Sequence, residues 1–183
     1  MKLSNITGIF TSSDREFIRE YEGEKFYIYN FSVEAGLDIS VRVSEYIEVP
    51  VGIPVSITGY LSSCNRFNET KGRKAMFTFF NAKLITPLGD NYEPSKRIEC
   101  SGVVTHIYAM GLTKGGTEKL TIVVKEHQSK SHVGIIHYTA MGKLARQLSS
   151  QLKVGDTVEG CGILRKKIES LEVLLLELVK EVN

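Results

Sequence analysis

Residues 142–167 read GKLARQLSSQLKVGDTVEGCGILRKK, and the rest of the chain can be understood outward from them. Leu144, Leu148 and Leu152 recur at the i, i+4, i+8 spacing of one helical face, while Lys143, Arg146 and Gln147 point elsewhere. The spacing predicts a short amphipathic helix over 142–152 whose apolar face plugs a core. Gly155 in the Val154-Gly155-Asp156 turn stops it. From Thr157 the pattern changes to alternation. Val158, Gly160, Gly162 and Leu164 fall on one face and Thr157, Glu159, Cys161 and Ile163 on the other, predicting a half-buried strand that runs into Arg165, Lys166 and Lys167.

The chain repeats itself. ITGIFT at 6–11 matches CSGVVT at 100–105, and 54–61 matches 156–164 in pattern, so two halves share one plan. The first half offers apolar or alternating segments at about 6–11, 25–33, 37–43, 55–61 and 75–85; the second offers them at about 99–107, 119–126, 133–139, 157–164 and 171–182. Five strands with a helix position after the third is the OB-fold layout. The predicted class is all-β with one short helix, as two tandem five-stranded OB-fold barrels. We place them at 1–94 and 95–183, with the boundary near Pro94 in the turn-forming segment PLGDNYEPS at 87–95. Gly8 and Gly102 suit the point where a barrel strand coils so tightly that a side chain would crowd its neighbour. In the first half Pro50 and Pro54 exclude the helix. Long loops are expected there instead, at 12–24 and 62–74.

The 142–167 unit resembles the bacterial single-stranded-DNA-binding protein (SSB) family at the link between its third and fourth strands. Gly142-Lys143-Leu144-Ala145, the helix, the turn at 153–156, Val158-Glu159-Gly160 and the basic run at 165–167 carry the resemblance. It is fullest over 98–182 and thinner over 3–84. The resemblance implies non-catalytic, largely sequence-independent binding of single-stranded DNA in replication or recombination. It also implies four OB folds per assembly, hence a homodimer or higher homo-oligomer of a two-barrel chain, with replication proteins as further partners. The family's acidic C-terminal tail has no counterpart after Leu178, which points to a phage or mobile-element variant. Two other readings stay open: a primosome-type accessory resembling primosomal replication protein N, and an OB scaffold that binds protein. RNA also stays open as a ligand, since stacking and phosphate contact do not distinguish the sugars.

Composition bounds these readings. A chain of 183 residues with 42% hydrophobic and 24% charged content can build cores without disulfides. No apolar run approaches the roughly 20 residues that span a bilayer, and the polar start MKLSNITG lacks a signal-peptide apolar region, so a cytoplasmic protein without membrane partners is expected. Cys64, Cys100 and Cys161 are odd in number and far apart, and are expected to be reduced. Net charge is +2, with 10 Lys/Arg against 12 Asp/Glu over 1–94 and 13 against 9 over 95–183. That bias is too small to argue nucleic-acid binding, and local patches must carry it.

The patches are as follows. Arg66, Phe67, Lys71, Arg73 and Lys74 put charge and a ring in one loop, as binding of single strands requires. Phe67 either stacks on a base or folds back onto its own barrel. Alternation sets Leu37, Ile39, Val41 and Val43 inward and Arg42 on the solvent side. By the same rule Val55, Ile57 and Leu61 face in and Tyr60 out. In segment 25–33, Tyr27, Tyr29, Phe31 and Val33 share a face, leaving Phe26 and Ile28 outward; Phe77 and Phe79 lie opposite Met76, Thr78 and Phe80. Lys143, Arg165, Lys166 and Lys167 are candidate phosphate contacts of the second barrel. Its third strand turns Ile135, His137, Thr139 and Met141 outward, where SSB proteins usually carry aromatics, and the chain has no Trp. Nothing indicates an enzyme, a metal or a cofactor. GLTKGG at 111–116 lacks the GK[ST] of a phosphate loop, His127, His132 and His137 are spaced too evenly along strand and loop to converge on one ion, and no nucleophile sits beside a base.

Overall fold

A computed structural model describes residues 2–34, 36–68, 72–127, 133–167 and 170–181; the side chains at 66–68, 73–75, 127, 133, 167 and 170 also lie outside the described set. One compact unit spans Leu3–Arg97 and a second begins at Ile98.

The first unit contains β1 (Ser4–Phe10), β2 (Glu16–Tyr21), β3 (Glu24–Glu34), β4 (Leu37–Ser44), β5 (Pro54–Asn68) and β6 (Arg73–Pro87). β1 pairs antiparallel with both β3 and β5, β3 with β4, and β5 with β6, while β4 runs parallel to β6. Five strands thus close on themselves, leaving β2 as a flap paired to β3. Their inward residues alternate as expected: Ile6, Phe10, Phe31, Val41, Ile57 and Phe80 are fully buried. The segment after Pro87 returns to this barrel. Thr7 N–H donates to the Ser95 carbonyl at 2.8 Å, and Ser95 N–H donates to Thr7 Oγ1 at 2.6 Å.

The second unit repeats the plan with β7 (Lys96–Ile107), β8 (Gly111–Leu112), β9 (Glu118–His127), β10 (Val133–Met141), α1 (Gly142–Gln151), β11 (Thr157–Lys167) and β12 (Ser170–Lys180). β7 pairs with β9, β9 with β10 and β11 with β12, all antiparallel. β10 runs parallel to β12, and β11 lies beside β7, closing the ring. Both units are five-stranded OB barrels. α1 buries Ala145 and Leu148, with Leu152 at its C-cap also buried and Leu144 half-buried. The turn after it is held by Gly155 at φ +97°, where a side chain is strained, and by Lys153 N–H donating to Asp156 Oδ2 at 2.8 Å. The repeated glycines do the same work in each barrel. A Cβ at Gly8 would collide with the Ser32 carbonyl oxygen, and one at Gly102 with that of Lys125.

Four expectations need correction. Segment 12–24 contains the strand β2 and is no mere loop, because Phe17, Arg19 and Tyr21 find backbone partners along β3. Segment 62–74 is mostly strand, since beyond a bulge between Thr58 and Gly59 β5 and β6 pair without a break from Gly59–Ala82 to Asn68–Arg73. Ile28, expected outward, is buried, being flanked by Glu16 of β2 and by Arg42 of β4. Cys161, expected on the half-exposed face, is buried, because a bulge between Cys161 and Gly162 shifts the register opposite β12.

Candidate nucleic-acid interface

The outward face of β3, β4, β6 and β5 is laid out by strand register. Arg42 of β4 is opposite Asn81 of β6, and Asn81 is opposite Tyr60 of β5. One step along the strands, Phe26 pairs with Ser44, and Phe79 with Ser62; one step further Phe77 pairs with Cys64. Side chains two apart on a strand share a face, so Phe77, Phe79 and Asn81 line up along β6.

The rings and guanidinium groups of this face form a continuous ladder. Arg42 Cζ lies 5.2 Å from the Phe26 centroid and 5.3 Å from that of Phe79, so its guanidinium is held between two phenyl rings. Phe79 stacks on Phe77 at 5.7 Å and 24°. On the other side Arg19 of β2 lies 5.5 Å from Phe26 and 5.9 Å from Tyr21. On the opposite face of β3, Arg15 lies 4.0 Å above Tyr27, whose ring meets exposed Phe17 edge-on at 5.9 Å. Lys83 Nζ lies 5.6 Å from the Tyr60 ring.

Five residues singled out from sequence, Phe26, Arg42, Tyr60, Phe77 and Phe79, therefore meet on one face. They are less exposed than alternation implied. Arg42 is 8% exposed, Tyr60 5% and Phe79 7%, whereas Phe26 and Phe77 are half-buried. Arg42 and Tyr60 do face out of the barrel, but their neighbours are large enough to cover them. Burial pulls the Arg42 pKa below its ordinary value, with Arg19 adding repulsion and the Tyr60 hydroxyl partly offsetting it. Asn81, which sequence reasoning passed over, is 2% exposed, and neither its amide nitrogen nor its oxygen has a hydrogen-bond partner among the described residues. Only its odd-numbered place beside Phe79 in the alternation of β6 signalled it. Arg66, Phe67, Arg73 and Lys74 lie on the far ends of β5 and β6 with side chains outside the described residues, as is Lys71 altogether.

The second barrel carries a different face. Arg165 does not stand free for phosphate: its Nη2 is 2.7 Å from Oε1 of buried Glu172, and its Nε donates to the same oxygen at 2.9 Å. Register explains the pairing, because the two residues are direct cross-strand partners. Thr139, expected outward, is buried, and its hydroxyl donates to Glu172 Oε2 at 2.8 Å. Lys143 and Lys166 are exposed, and the Lys167 side chain lies outside the described residues. An aromatic cluster missed in the sequence is present here. Tyr108, exposed just beyond β7, meets His106 edge-on at 4.5 Å and His137 at 6.3 Å. Its signal in the sequence was the i, i+2 spacing of His106 and Tyr108. GLTKGG forms β8 and a tight turn closed by Gly116 N–H donating to the Thr113 carbonyl at 3.0 Å. No cluster of three or more metal-ligating side chains occurs among the described residues, and no helix is long and apolar enough to cross a membrane.

Two closed five-stranded barrels, one with an outward ring and guanidinium face, define a tandem OB-fold protein. Among solved structures, the chain is similar to the wild-type single-stranded DNA binding protein from Thermus aquaticus, at 16% identity and a TM-score of 0.77 over 100% of this chain and 94% of that one. A deletion mutant of the same protein matches at 17% identity, a TM-score of 0.75, and coverage of 100% and 95%. At such identities the likeness is one of fold, and it extends through both barrels. No protein-family model matches the sequence, and no curated protein matches it either.

Proposed function

We propose that the chain binds single-stranded nucleic acid, DNA first, without catalysis and largely without regard to sequence, through the outward face of its first barrel. The observation that carries this reading is the ladder Tyr21, Arg19, Phe26, Arg42, Phe79, Phe77, which alternates rings with guanidinium groups across four strands. Rings accept stacked bases of any identity, and cations between them follow the phosphates. Arg66, Phe67, Lys71, Arg73 and Lys74 would prolong the track at the β5–β6 tip, and Lys143, Lys166 and Lys167 would add phosphate contacts on the second barrel. The Thermus aquaticus likeness supports the reading through its fold, and a role in replication or recombination goes with it.

Titration of fluorescent oligothymidine at several salt concentrations tests the proposal. Tight binding whose logarithm falls linearly with the logarithm of salt is expected. Phe26→Ala and Phe77→Ala should each lose about 1–3 kcal/mol of binding, the range of one stacked base. Absence of binding at low salt would leave a protein-binding scaffold. Weak binding that tightens when a replication partner is added would favour the primosome-type accessory.

A further inference from the structure

The row formed by Arg42, Asn81 and Tyr60 stands out on the stacking face for its amide, because both hydrogen-bonding atoms of Asn81 are buried and unused among the described residues. The Asn81 amide presents a donor and an acceptor, both sealed from solvent and both unpartnered among the described residues. A buried amide in that condition destabilises a fold, and an aliphatic side chain of similar size would fit the same register without the loss. Beside it lies the buried Arg42 guanidinium, which forms no ion pair among the described residues and is held by the rings of Phe26 and Phe79. Groups left in this state on a binding face are suited to a ligand that completes them.

The chemistry of the row selects among ligands. A phosphate offers only acceptors, so it would satisfy Arg42 and the Asn81 nitrogen while facing the Asn81 oxygen with another oxygen. A nucleobase edge offers acceptors and donors side by side. Guanine presents N7 and O6 to a guanidinium fork and, next to O6, an N1–H that an amide oxygen accepts. Adenine puts an amino group where O6 stands, so a donor would face the donors of Arg42. Thymine has the adjacent carbonyl and N–H but lacks N7. The rings of Phe26 and Phe79 exclude water from the row, which makes such a mismatch more damaging than it would be in solution. Ring contacts hold Arg42, with no ion pair among the described residues, so turning its guanidinium outward to admit a base to the amide beneath exchanges those contacts for the base and breaks no salt bridge.

We propose that Arg42, Asn81 and Tyr60 form a subsite that reads one base edge and takes guanine in preference to adenine, an inference that rests on this face being the nucleic-acid interface. The test compares the full chain's affinity for oligodeoxyadenosine, for the same oligomer with one central guanine and for one with a central 7-deazaguanine, with oligothymidine measured alongside. The single guanine should tighten binding on the order of tenfold over all-adenine, the discrimination of one bidentate base contact, and 7-deazaguanine should lose part of the gain. Asn81→Ala should bring the guanine-to-adenine ratio close to one while oligothymidine still binds. Asn81→Leu should do the same with an unchanged or higher thermal midpoint, which separates loss of reading from loss of folding. Equal affinity of the parent for guanine and adenine strands, or a preference that survives both substitutions, overturns the subsite and leaves the interface standing. Failure to bind oligothymidine at all overturns both.

Discussion

Glu126 brings its carboxyl group into the interior of the second barrel, on the same strand face as Ile122 and Val124, and the Tyr138 hydroxyl donates to it. Burial pushes its pKa up to about 7, although hydrogen bonds from Tyr138 and from the Ser101 backbone act in the opposite direction. In the unfolded chain it titrates near the ordinary carboxylate value, so between about pH 4.5 and 7 the folded state binds the extra proton and stability falls as pH rises. A shift of that size corresponds to about 3 kcal/mol. Glu126→Gln keeps an acceptor for Tyr138 and removes the titration. Urea denaturation should find the variant and the parent alike at pH 4, and the variant more stable by up to about 3 kcal/mol at pH 8. A pH-independent difference would show that the carboxyl group ionises elsewhere. The same residue marks a limit of sequence reading. A glutamate near the end of an alternating strand reads as solvated surface, and only the closure of the barrel over it reveals otherwise.

At the scale of elements, the 142–167 unit was legible because each part obeys a local rule. The leucine spacing gives α1, Gly155 gives the turn, and alternation gives β11. α1 then fastens to the barrel through Ala145 and Leu148, so Leu148→Ala should cost about 2–5 kcal/mol in urea denaturation, as truncation of a well-packed core leucine does. A loss under about 1 kcal/mol would mean that the helix lies loosely on the barrel. What local rules missed depended on partners far away in sequence. β2 has ordinary composition and becomes a strand only because β3 offers it an edge. The length of the β5–β6 hairpin followed from pairing, whereas its Asn, Gly and charged residues suggested a loop. Phe26, Arg42, Tyr60, Phe77 and Phe79 could each be named from alternation, but their assembly into one ladder required the β4–β6 parallel pairing that sets Arg42 opposite Asn81. Asn81 had no signal of its own beyond its place in that alternation.

For the whole molecule, the repeat gives two barrels of one topology whose outer faces have diverged. If four OB folds make the working assembly, sedimentation equilibrium should give twice the chain mass of 20.4 kDa, and a monomer that binds DNA at full strength would refute that count. The division of labour between the barrels is a separate question, and side chains decide it. The first barrel offers three arginines among its rings, while the second sets a buried carboxylate, Glu172, against Arg165 and presents one exposed ring, Tyr108, beside two histidines. Carboxylates near a phosphate track oppose binding, and an arginine already paired to one has less to give a phosphate. Binding energy should therefore be distributed unequally. Tyr108→Ala should lower oligothymidine affinity by less than about 1 kcal/mol, against about 1–3 kcal/mol for Phe77→Ala. Arg165→Ala should leave the salt slope almost unchanged but reduce stability by removing the cation that faces the buried Glu172 carboxylate. Arg19→Ala on the first barrel should make the slope shallower by up to about 0.7, the contribution of one phosphate contact to a single strand. The reverse ranking, with Tyr108 dominant and Arg19 silent, would move the interface to the second barrel.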